Sequence, residues 1–385
     1  MKKKQWVVGC IVLVALVALG VWGRGRIHFD FGVFRSQLAQ ANWSKIAIAL
    51  GCIYLGYVFR SVRWALLVRP SKKVGPFSLL GTQVIGFTAV ALLGRVADPV
   101  RPYLVAKKTG LSLSSQFAVY IVERLFDAGS MALIFSCFIL LAAPGSLPHA
   151  EIVTKTGYWA MTLTVLGALF LMVVRVAGGF AASFLERTFG VLSKTLGQAV
   201  GSKIRSFQSG LNTLRTPKDF VVTLFLSLSM WGLITFAYLE TAQAFVASPQ
   251  LASMTLAKCM LLLAFSGGAS ALQLPVIGWF TQIGFVAAAL SSFFGVAAEP
   301  ATACSATLLL VTFLGIVPVG LIWARFEHVS LRKVAVESEY ADGVPGANVP
   351  ETHVSRSEVS GASEQPVPEK NPVRDKPAET AARTE

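Results

Sequence analysis

Charged residues are scarce in this chain. They make up 14% of its 385 residues, against about a quarter in an average soluble domain, and 54% of the residues are apolar. The mean hydropathy is +0.63. These values exclude a soluble globular enzyme, a disordered chain and a coiled coil. The long apolar runs also exclude a β-barrel porin, whose strands alternate polar and apolar residues. The sequence therefore predicts an all-α, polytopic helical membrane protein.

Motifs for metal or cofactor chemistry are also missing from the sequence. The five cysteines lie singly inside apolar stretches and form no C-x-x-C pair, and the four histidines do not cluster. No Ser-His-Asp order, Walker loop or dinucleotide fingerprint is present. We therefore expect no metal site, no cofactor and no catalytic residue.

The net charge of +14 is unevenly distributed along the chain. Residues 331–385 hold seven Lys/Arg and ten Asp/Glu, a net of −3, which leaves +17 for residues 1–330. A basic membrane body predicts positive-inside loops and membrane lipids as partners, with anionic or phosphate-bearing lipids favoured. Nucleic acid is not expected, because the charges lie between apolar spans. Residues 337–385, rich in Pro, Glu, Ser, Ala and Thr, predict disorder, so we divide the chain into a membrane domain, 1–330, and a cytoplasmic tail, 331–385.

Nine apolar segments predict the spans. They lie at approximately 6–22, 43–59, 77–94, 115–142, 157–174, 219–246, 255–272, 276–295 and 303–324. A signal peptide is the alternative for the first of them, but no small-residue cleavage pattern follows it. Three segments, 77–94, 255–272 and 276–295, contain Gly, Pro and polar residues that are typical of re-entrant or broken helices.

The basic loops constrain the topology. Loops 60–76 and 95–114 both carry several Lys/Arg, so both are expected on the cytoplasmic side, which requires 77–94 to be re-entrant. Treating 255–295 as a re-entrant pair from the other side gives about six full spans and two cytoplasmic termini. Apolar residues recur at steps of three and four over 183–215, which predicts a basic amphipathic helix on the cytoplasmic membrane surface. A soluble helix packed on the membrane body is the alternative.

Ionisable residues inside a span are costly, and they often mark a functional site. The densest group is Glu123, Arg124 and Asp127, near the start of span 115–142. Glu123 and Asp127 are four residues apart, so their carboxylates share one helix face and invite a cation or a shared proton. A substrate or ion-coupling site is one interpretation. The other is an internal salt bridge that locks helices together.

A second group of polar residues lies in the stretch 94–103. Arg95 and Arg101 are suited to bidentate phosphate binding, and Asp98 is placed to orient one of them. Two prolines and a glycine prevent a continuous helix here. An ordinary basic cytoplasmic loop is the alternative, although it would not explain the proline-fixed geometry.

Two further candidates come from other spans. Arg60 and Arg63 lie one turn apart at the end of span 43–59, where they either contact a headgroup or snorkel to the interface. Gln282, next to Thr281, can hydrogen-bond at membrane depth without carrying a charge. These residues are predicted to bind substrate, together with the carboxylates and the 94–103 group.

Several motifs resemble the transmembrane region of the lysylphosphatidylglycerol synthase family, also described as flippase-like domain proteins. The resemblance covers roughly residues 5–325, and the family includes the membrane half of the bacterial multiple peptide resistance factor. It is carried by Arg60-Ser-Val-Arg63-Trp64, Arg69-Pro70, Gly94-Arg95, Arg101-Pro102-Tyr103-Leu104, Lys107-Lys108, Glu123-Arg124-Leu125-Phe126-Asp127, Pro275 to Gln282 and Phe294-Gly295-Val296.

The resemblance implies lipid translocation or the handling of a lipid-linked substrate. Aminoacyl-lipid synthesis is not implied, because the aminoacyltransferase domain of the full synthase is absent from this sequence. We expect a transporter of the bacterial inner membrane rather than an enzyme, with Tyr103 and Arg124 joining the substrate-binding residues. A membrane-embedded transferase that uses Glu123 or Asp127 as a base, and an inactive accessory subunit, are the alternatives.

Overall fold

The computed structural model describes residues 29–143, 147–167, 216–271 and 277–327, together with the single residues 145, 169 and 329. Within these ranges every regular element is a helix and no strand occurs, so the predicted all-α fold is confirmed. The predicted first span, the 183–215 helix and the 331–385 tail lie outside the described residues, as does part of the predicted span 157–174.

The helices are numbered here in chain order. They are α1 (Phe31–Ala39), α2 (Trp43–Val68), α3 (Pro76–Leu93), α4 (Val100–Thr109), α5 (Leu113–Leu140), α6 (150–167), α7 (Pro217–Gln243), α8 (Pro249–Ala252), α9 (Leu256–Ala271), α10 (Ile277–Phe294), α11 (Ala298–Leu309) and α12 (Ile316–Phe326).

Four stretches of helix are long and apolar enough to span a membrane: α2, α3, α7 and the continuous run from α11 to α12. Helix α5 is also long, with 28 residues, but it carries three charged residues near its middle. Helices α2 and α7 pack together in antiparallel directions. Lys45 pairs with Glu240 at one end, at 3.1 Å, and Arg63 donates to Ser227 near the other. The two helices therefore contact each other along most of their length.

Helices α3 and α4 form a hairpin whose two ends lie at the same end of the bundle. Lys72, just before α3, donates from Nζ to the carbonyl of Thr109 at the end of α4, at 2.7 Å. The end of α12 joins them, because Lys108 pairs with Glu327 at 2.6 Å. We call this the basic end, defined by Lys72, Lys73, Lys107 and Lys108.

The hairpin corrects two expectations about this region. The segment 77–94 was expected to be a re-entrant or broken helix, and the second alternative is wrong, because α3 is continuous through both of its glycines. Gly86 allows close approach of Arg101, and Gly81 allows close approach of Trp323, so the glycines serve packing rather than bending. The stretch 95–114 was expected to be a cytoplasmic loop, but residues 100–109 form α4, which returns the chain to the basic end.

The turn of this first hairpin depends on a glycine and a proline. Gly94 has a φ of 77°, a left-handed value that favours glycine, and it ends α3. A short 3₁₀ turn, Arg95–Ala97, follows it, and Pro99 lies immediately before α4, where a missing N–H costs no helical hydrogen bond. Gly94 and Pro99 were correctly expected to interrupt the helix here, whereas Pro102 lies within the first turn of α4.

Helices α9 and α10 form a second hairpin, which starts from the opposite end. Gln243, the last residue of α7, donates from Nε2 to the carbonyl of Met254 just before α9, at 3.0 Å. Near the end of α10, the ring of Phe293 lies 5.8 Å from that of His149, which follows α5. The chain therefore enters and leaves at the far end, as the re-entrant interpretation of 255–295 requires. Residues 272–276, between the two helices, lie outside the described residues.

The run from α11 to α12 contains a π-helical turn, Leu310–Leu314. The amide of Gly315 donates to the carbonyl of Leu310 at 2.6 Å, an i to i−5 bond. The hydroxyl of Tyr54, on α2, donates to the carbonyl of Gly315 at 2.7 Å. One turn later Gly320 lies against Thr88 of α3, with no room for a side chain. The π turn therefore lies where this helix contacts both α2 and α3.

We expect Gly320→Ala to destabilise the bundle, because its new Cβ would lie 2.7 Å from the Cβ of Thr88. Overpacking of this kind costs about 1–3 kcal/mol. The measurement is the apparent melting temperature of the purified chain in detergent. Gly232→Ala on α7 is the matched control, since its Cβ would meet nothing within 4 Å. Equal melting temperatures for the two variants would contradict the packing described here.

Candidate functional site

A buried network of ion pairs joins α2 to α5. Arg63 is 1% exposed, and its two terminal nitrogens donate separately to Glu123 and Asp127, each at 2.6 Å. The nitrogen that bonds Asp127 also donates to the hydroxyl of Ser227 on α7, at 2.7 Å. Glu123 and Asp127 share one face of α5, as their spacing predicts, and Arg63 contacts both carboxylates.

Arg101, at the start of α4, enters the same network from the first hairpin. It is fully buried, and Nη2 donates to both oxygens of Glu123, at 2.8 and 2.9 Å. The same guanidinium bonds the side-chain oxygen of Gln83 on α3 and stacks 4.3 Å from the centre of the Phe87 ring. Gly86 has no side chain, and this leaves the space on α3 that the side chain of Arg101 occupies.

Arg60 and Arg124 complete the network at longer distances. Arg60 lies 3.5 Å from Glu123 and 3.6 Å from Asp127, while Arg124 lies 3.8 and 3.5 Å from the same two carboxylates. Nη1 of Arg60 has no hydrogen-bond partner, although it is buried. The guanidinium of Arg60 also stacks 4.5 Å from the centre of the Phe87 ring. The group thus contains four guanidiniums and two carboxylates, an excess of two positive charges.

A cavity of about 190 Å³ adjoins this network. Its wall includes Arg60 and Phe87 from one side and Ser266 from the second hairpin. Most of the remaining lining is apolar. It comprises Ile53, Gly56, Tyr57, Met131, Met230, Trp231, Ile234, Tyr238, Leu263, Gly267, Thr312, Phe313 and Ile316, and Arg95 contributes from the turn of the first hairpin. Arg60 is therefore shared between the ion-pair network and the cavity.

The remaining predicted residues take other positions. Arg95 pairs with Asp98 at 3.6 Å within the hairpin turn, where its side chain is 43% exposed. Tyr103 is buried among apolar residues of α3 and α4. Gln282, on α10, belongs to a separate uncharged group: it donates to the hydroxyl of Ser266, which also accepts from Tyr238.

Sequence reasoning missed three partners in the site. Gln83 and Ser227 bond the buried arginines, and Phe87 lies against two of them. Gln83 could have been identified from the sequence, because a glutamine inside an apolar segment needs a hydrogen-bond partner. Ser227 and Phe87 are ordinary residues of membrane helices, and only the fold brings them to the arginines.

We expect Glu123→Gln to destabilise the chain strongly, because Arg63 and Arg101 would lose their shared counter-charge while remaining buried. Removing one partner of a buried pair costs about 3–5 kcal/mol. The measurements are folded yield and apparent melting temperature in detergent. Glu151→Gln is the control, since its pair with Lys155 is exposed and worth less than about 1 kcal/mol. Similar losses in both variants would contradict a structural role for the network.

Comparison with protein families gives one match. The family model for the lysylphosphatidylglycerol synthase TM region matches residues 6–320. Neither the curated proteins nor the solved structures gave a match. The matched range contains both hairpins, the ion-pair network and the cavity. This chain therefore belongs to the lysylphosphatidylglycerol synthase transmembrane-region family.

Proposed function

We propose that this protein moves a phospholipid or lipid-linked substrate across the bacterial inner membrane. The family supports a membrane role connected with lipids. The observation that carries the finer proposal is Arg60, which lines the cavity and has a buried Nη1 without a hydrogen-bond partner. A phosphate oxygen is a suitable acceptor for such a group, because Arg and phosphate form strong charge-assisted hydrogen bonds.

The charge balance supports an anionic ligand. Four guanidiniums share two carboxylates, so the network has a positive excess at the cavity wall. Positive charge in a low-dielectric site is expensive without a counter-charge. An anionic headgroup would supply that counter-charge, and it would be held next to a mostly apolar wall that suits lipid chains.

The carboxylates have a specific role in this proposal. Oδ2 of Asp127 has no hydrogen-bond partner and lies 3.6 Å from Nη1 of Arg60. A phosphate bound in the cavity would therefore compete with Asp127 for Arg60. Binding of the phosphate would weaken the ion pair between Arg60 and Asp127. Arg63 and Arg101 are held by short bonds to Glu123 and fix the position of that carboxylate.

The position of the cavity also suits transport. It is lined by the first hairpin, which starts at the basic end, and by the second, which starts at the far end. Many transporters hold substrate between discontinuous helices that enter from opposite sides. Movement of either hairpin would open the cavity toward one side of the membrane.

Reconstitution tests the proposal. We expect the purified chain to move fluorescent anionic phospholipid between the leaflets of liposomes, and Arg60→Gln to slow this about tenfold or more. A hydrogen bond to a charged group is worth about 1.5–3 kcal/mol, and each 1.36 kcal/mol is a factor of ten in rate. Dithionite quenching of the outer-leaflet fluorophore gives the rate.

The matched control is Arg69→Gln, at the exposed end of α2. Unchanged transport in the Arg60 variant would exclude Arg60 as the headgroup ligand, and no transport by the full chain would contradict the transporter. Mass spectrometry of the recovered lipid distinguishes the transporter from the transferase alternative, since a new covalent lipid product would favour the transferase.

We also propose that the basic end faces the cytoplasm, with both termini on that side. Lys72 and Lys73 lie there with Lys107 and Lys108, and short loops rich in Lys and Arg remain on the cytoplasmic side. The far end, with Gln250 before α9, would face outward.

Cysteine labelling checks this orientation. In a background without the five native cysteines, we expect Gln250→Cys to react with an impermeant maleimide added to spheroplasts, and Lys73→Cys to react only after permeabilisation. Both positions are exposed, so accessibility to the reagent is matched. The reverse labelling pattern would show that the basic end faces outward.

A further inference from the structure

The two hairpins contact each other where α3 ends and α10 begins. Trp279, the third residue of α10, donates from its indole nitrogen to the carbonyl of Ala91 on α3, at 2.9 Å. Ala91 belongs to the last turn of α3, where carbonyl groups commonly lack an amide partner within the helix. The indole therefore supplies a hydrogen bond from one hairpin to the other. We call this hydrogen bond between Trp279 and Ala91 the tip contact.

The tip contact lies about halfway between the two ends of the bundle. Ala91 lies 15 residues after Pro76, where α3 begins, and Trp279 lies 15 residues before Phe294, where α10 ends. At about 1.5 Å per residue, each is about 22 Å along its helix, measured from the basic end for α3 and from the far end for α10. Helix α7, with 27 residues, is about 40 Å long by the same measure. The hairpins therefore meet near mid-depth.

The tip contact also borders the cavity. Phe87 and Arg95, four residues before and four residues after Ala91, both line it. From the second hairpin, Ser266 lines it as well. Separating Trp279 from α3 would part the two hairpins beside the cavity, and it would open the cavity toward the far end, from which α9 and α10 enter.

The first hairpin is held in place by charged groups. Arg101 is fully buried and bonds both oxygens of Glu123 on α5. Lys108 pairs with Glu327 at the end of α12. Breaking a buried ion pair is strongly unfavourable, because each partner is left as an uncompensated charge. These pairs therefore oppose movement of the first hairpin.

The second hairpin carries almost no charge. Lys258, in the first turn of α9, is the only Asp, Glu, Lys, Arg or His in the sequence from 256 to 294. Beyond it, the hairpin can be held only by neutral hydrogen bonds and apolar packing. The hydrogen bond from Tyr238 to Ser266 is one such contact, and the tip contact is another. Neutral hydrogen bonds contribute much less than the pairing of a buried charge, so the second hairpin is the easier of the two to displace.

We propose that the second hairpin is the moving part of the transporter, and that the tip contact is the latch that holds it closed. When the indole of Trp279 leaves the carbonyl of Ala91, the start of α10 moves away from α3 and the cavity opens toward the far end. The first hairpin stays in place with α5. Trp279 is a positioning residue, because it acts on the hairpin and does not touch the substrate. This inference rests on the proposed function, since it takes the cavity to be the transport site.

Trp279→Phe tests the latch, because it removes the indole N–H and keeps an aromatic ring. The reporter is Met230→Cys, a buried position in the cavity wall, in the detergent-solubilised full chain without its native cysteines. We expect this cysteine to react about two- to tenfold faster with a water-soluble methanethiosulfonate when Trp279→Phe is present, the range for the loss of one hydrogen bond.

Two controls make the labelling result specific. Leu67→Cys is a reporter that is equally buried but lies away from the cavity, in the core between α2, α4 and α5. It is expected to stay unreactive in the presence of Trp279→Phe, which excludes a general loosening of the fold. Trp159→Phe changes an exposed tryptophan of α6 and is expected to leave the reactivity of Met230→Cys unchanged.

Cross-linking in liposomes tests the movement itself. The first pair, Ala91→Cys with Trp279→Cys, is joined by a reducible bifunctional methanethiosulfonate. We expect the cross-link to stop transport of the fluorescent phospholipid and reduction to restore it. The matched second pair is Lys108→Cys with Glu327→Cys, which joins the first hairpin to α12. Both of these elements stay in place in the proposal, so this cross-link is expected to leave transport unchanged.

Several results would overturn the inference. Equal reactivity of Met230→Cys with and without Trp279→Phe would show that the tip contact is not a latch. Undiminished transport by the first cross-linked pair would show that the second hairpin does not move, and loss of transport in the second pair would assign the movement to the first hairpin. Absence of transport by the unmodified chain would contradict the proposed function, while the labelling rates would still decide whether the latch exists.

Discussion

The carboxylate of Glu123 is the interaction on which much of this structure depends. It accepts from Arg63 of α2 and Arg101 of α4, so this one buried side chain of α5 ties the long helix α2 to the first hairpin. Charges at this depth are tolerated only when they are paired and hydrogen-bonded. The hairpin cannot be displaced from α5 without separating Arg101 from Glu123. The position of the cavity wall at Arg60 follows from the same network.

Much of the architecture could be predicted from the sequence, because a bilayer leaves few alternatives to helices. Basic loops that had to share one side led to the expectation of re-entrant elements at 77–94 and 255–295, and Lys72 and Thr109 do meet at one end. The helix 100–109 was missed, since two prolines and several charges there indicate a loop unless its contacts are known. Its partners come from distant helices, which no local pattern encodes.

The residues of the candidate site could be predicted from the sequence, but their individual positions could not. Glu123, Asp127 and the arginines were identified because ionisable groups in apolar helices are rare. Their separate roles were not predicted. Arg60 and Arg101 were both predicted to bind substrate. Arg101 is fully buried among Gln83 and Glu123, whereas Arg60 lines the cavity. The difference depends on which face of each helix meets its neighbour. That is set by packing, including the space left at Gly86.

The π-helical turn at Leu310–Leu314 fixes the angular register of the last helix. Such a turn holds one residue more than an α-helical turn, and each residue in a helix advances the side chains by about 100°. Thr312 and Phe313 line the cavity, while Gly320 meets Thr88 of α3. Because the extra residue is taken up within the π turn, deletion of a single residue here would restore regular α-helix and leave the later side chains close to their present angular positions. A one-residue deletion is therefore expected to be tolerated better in this turn than in the α-helical parts of the same run, where it would rotate the later side chains by about 100°.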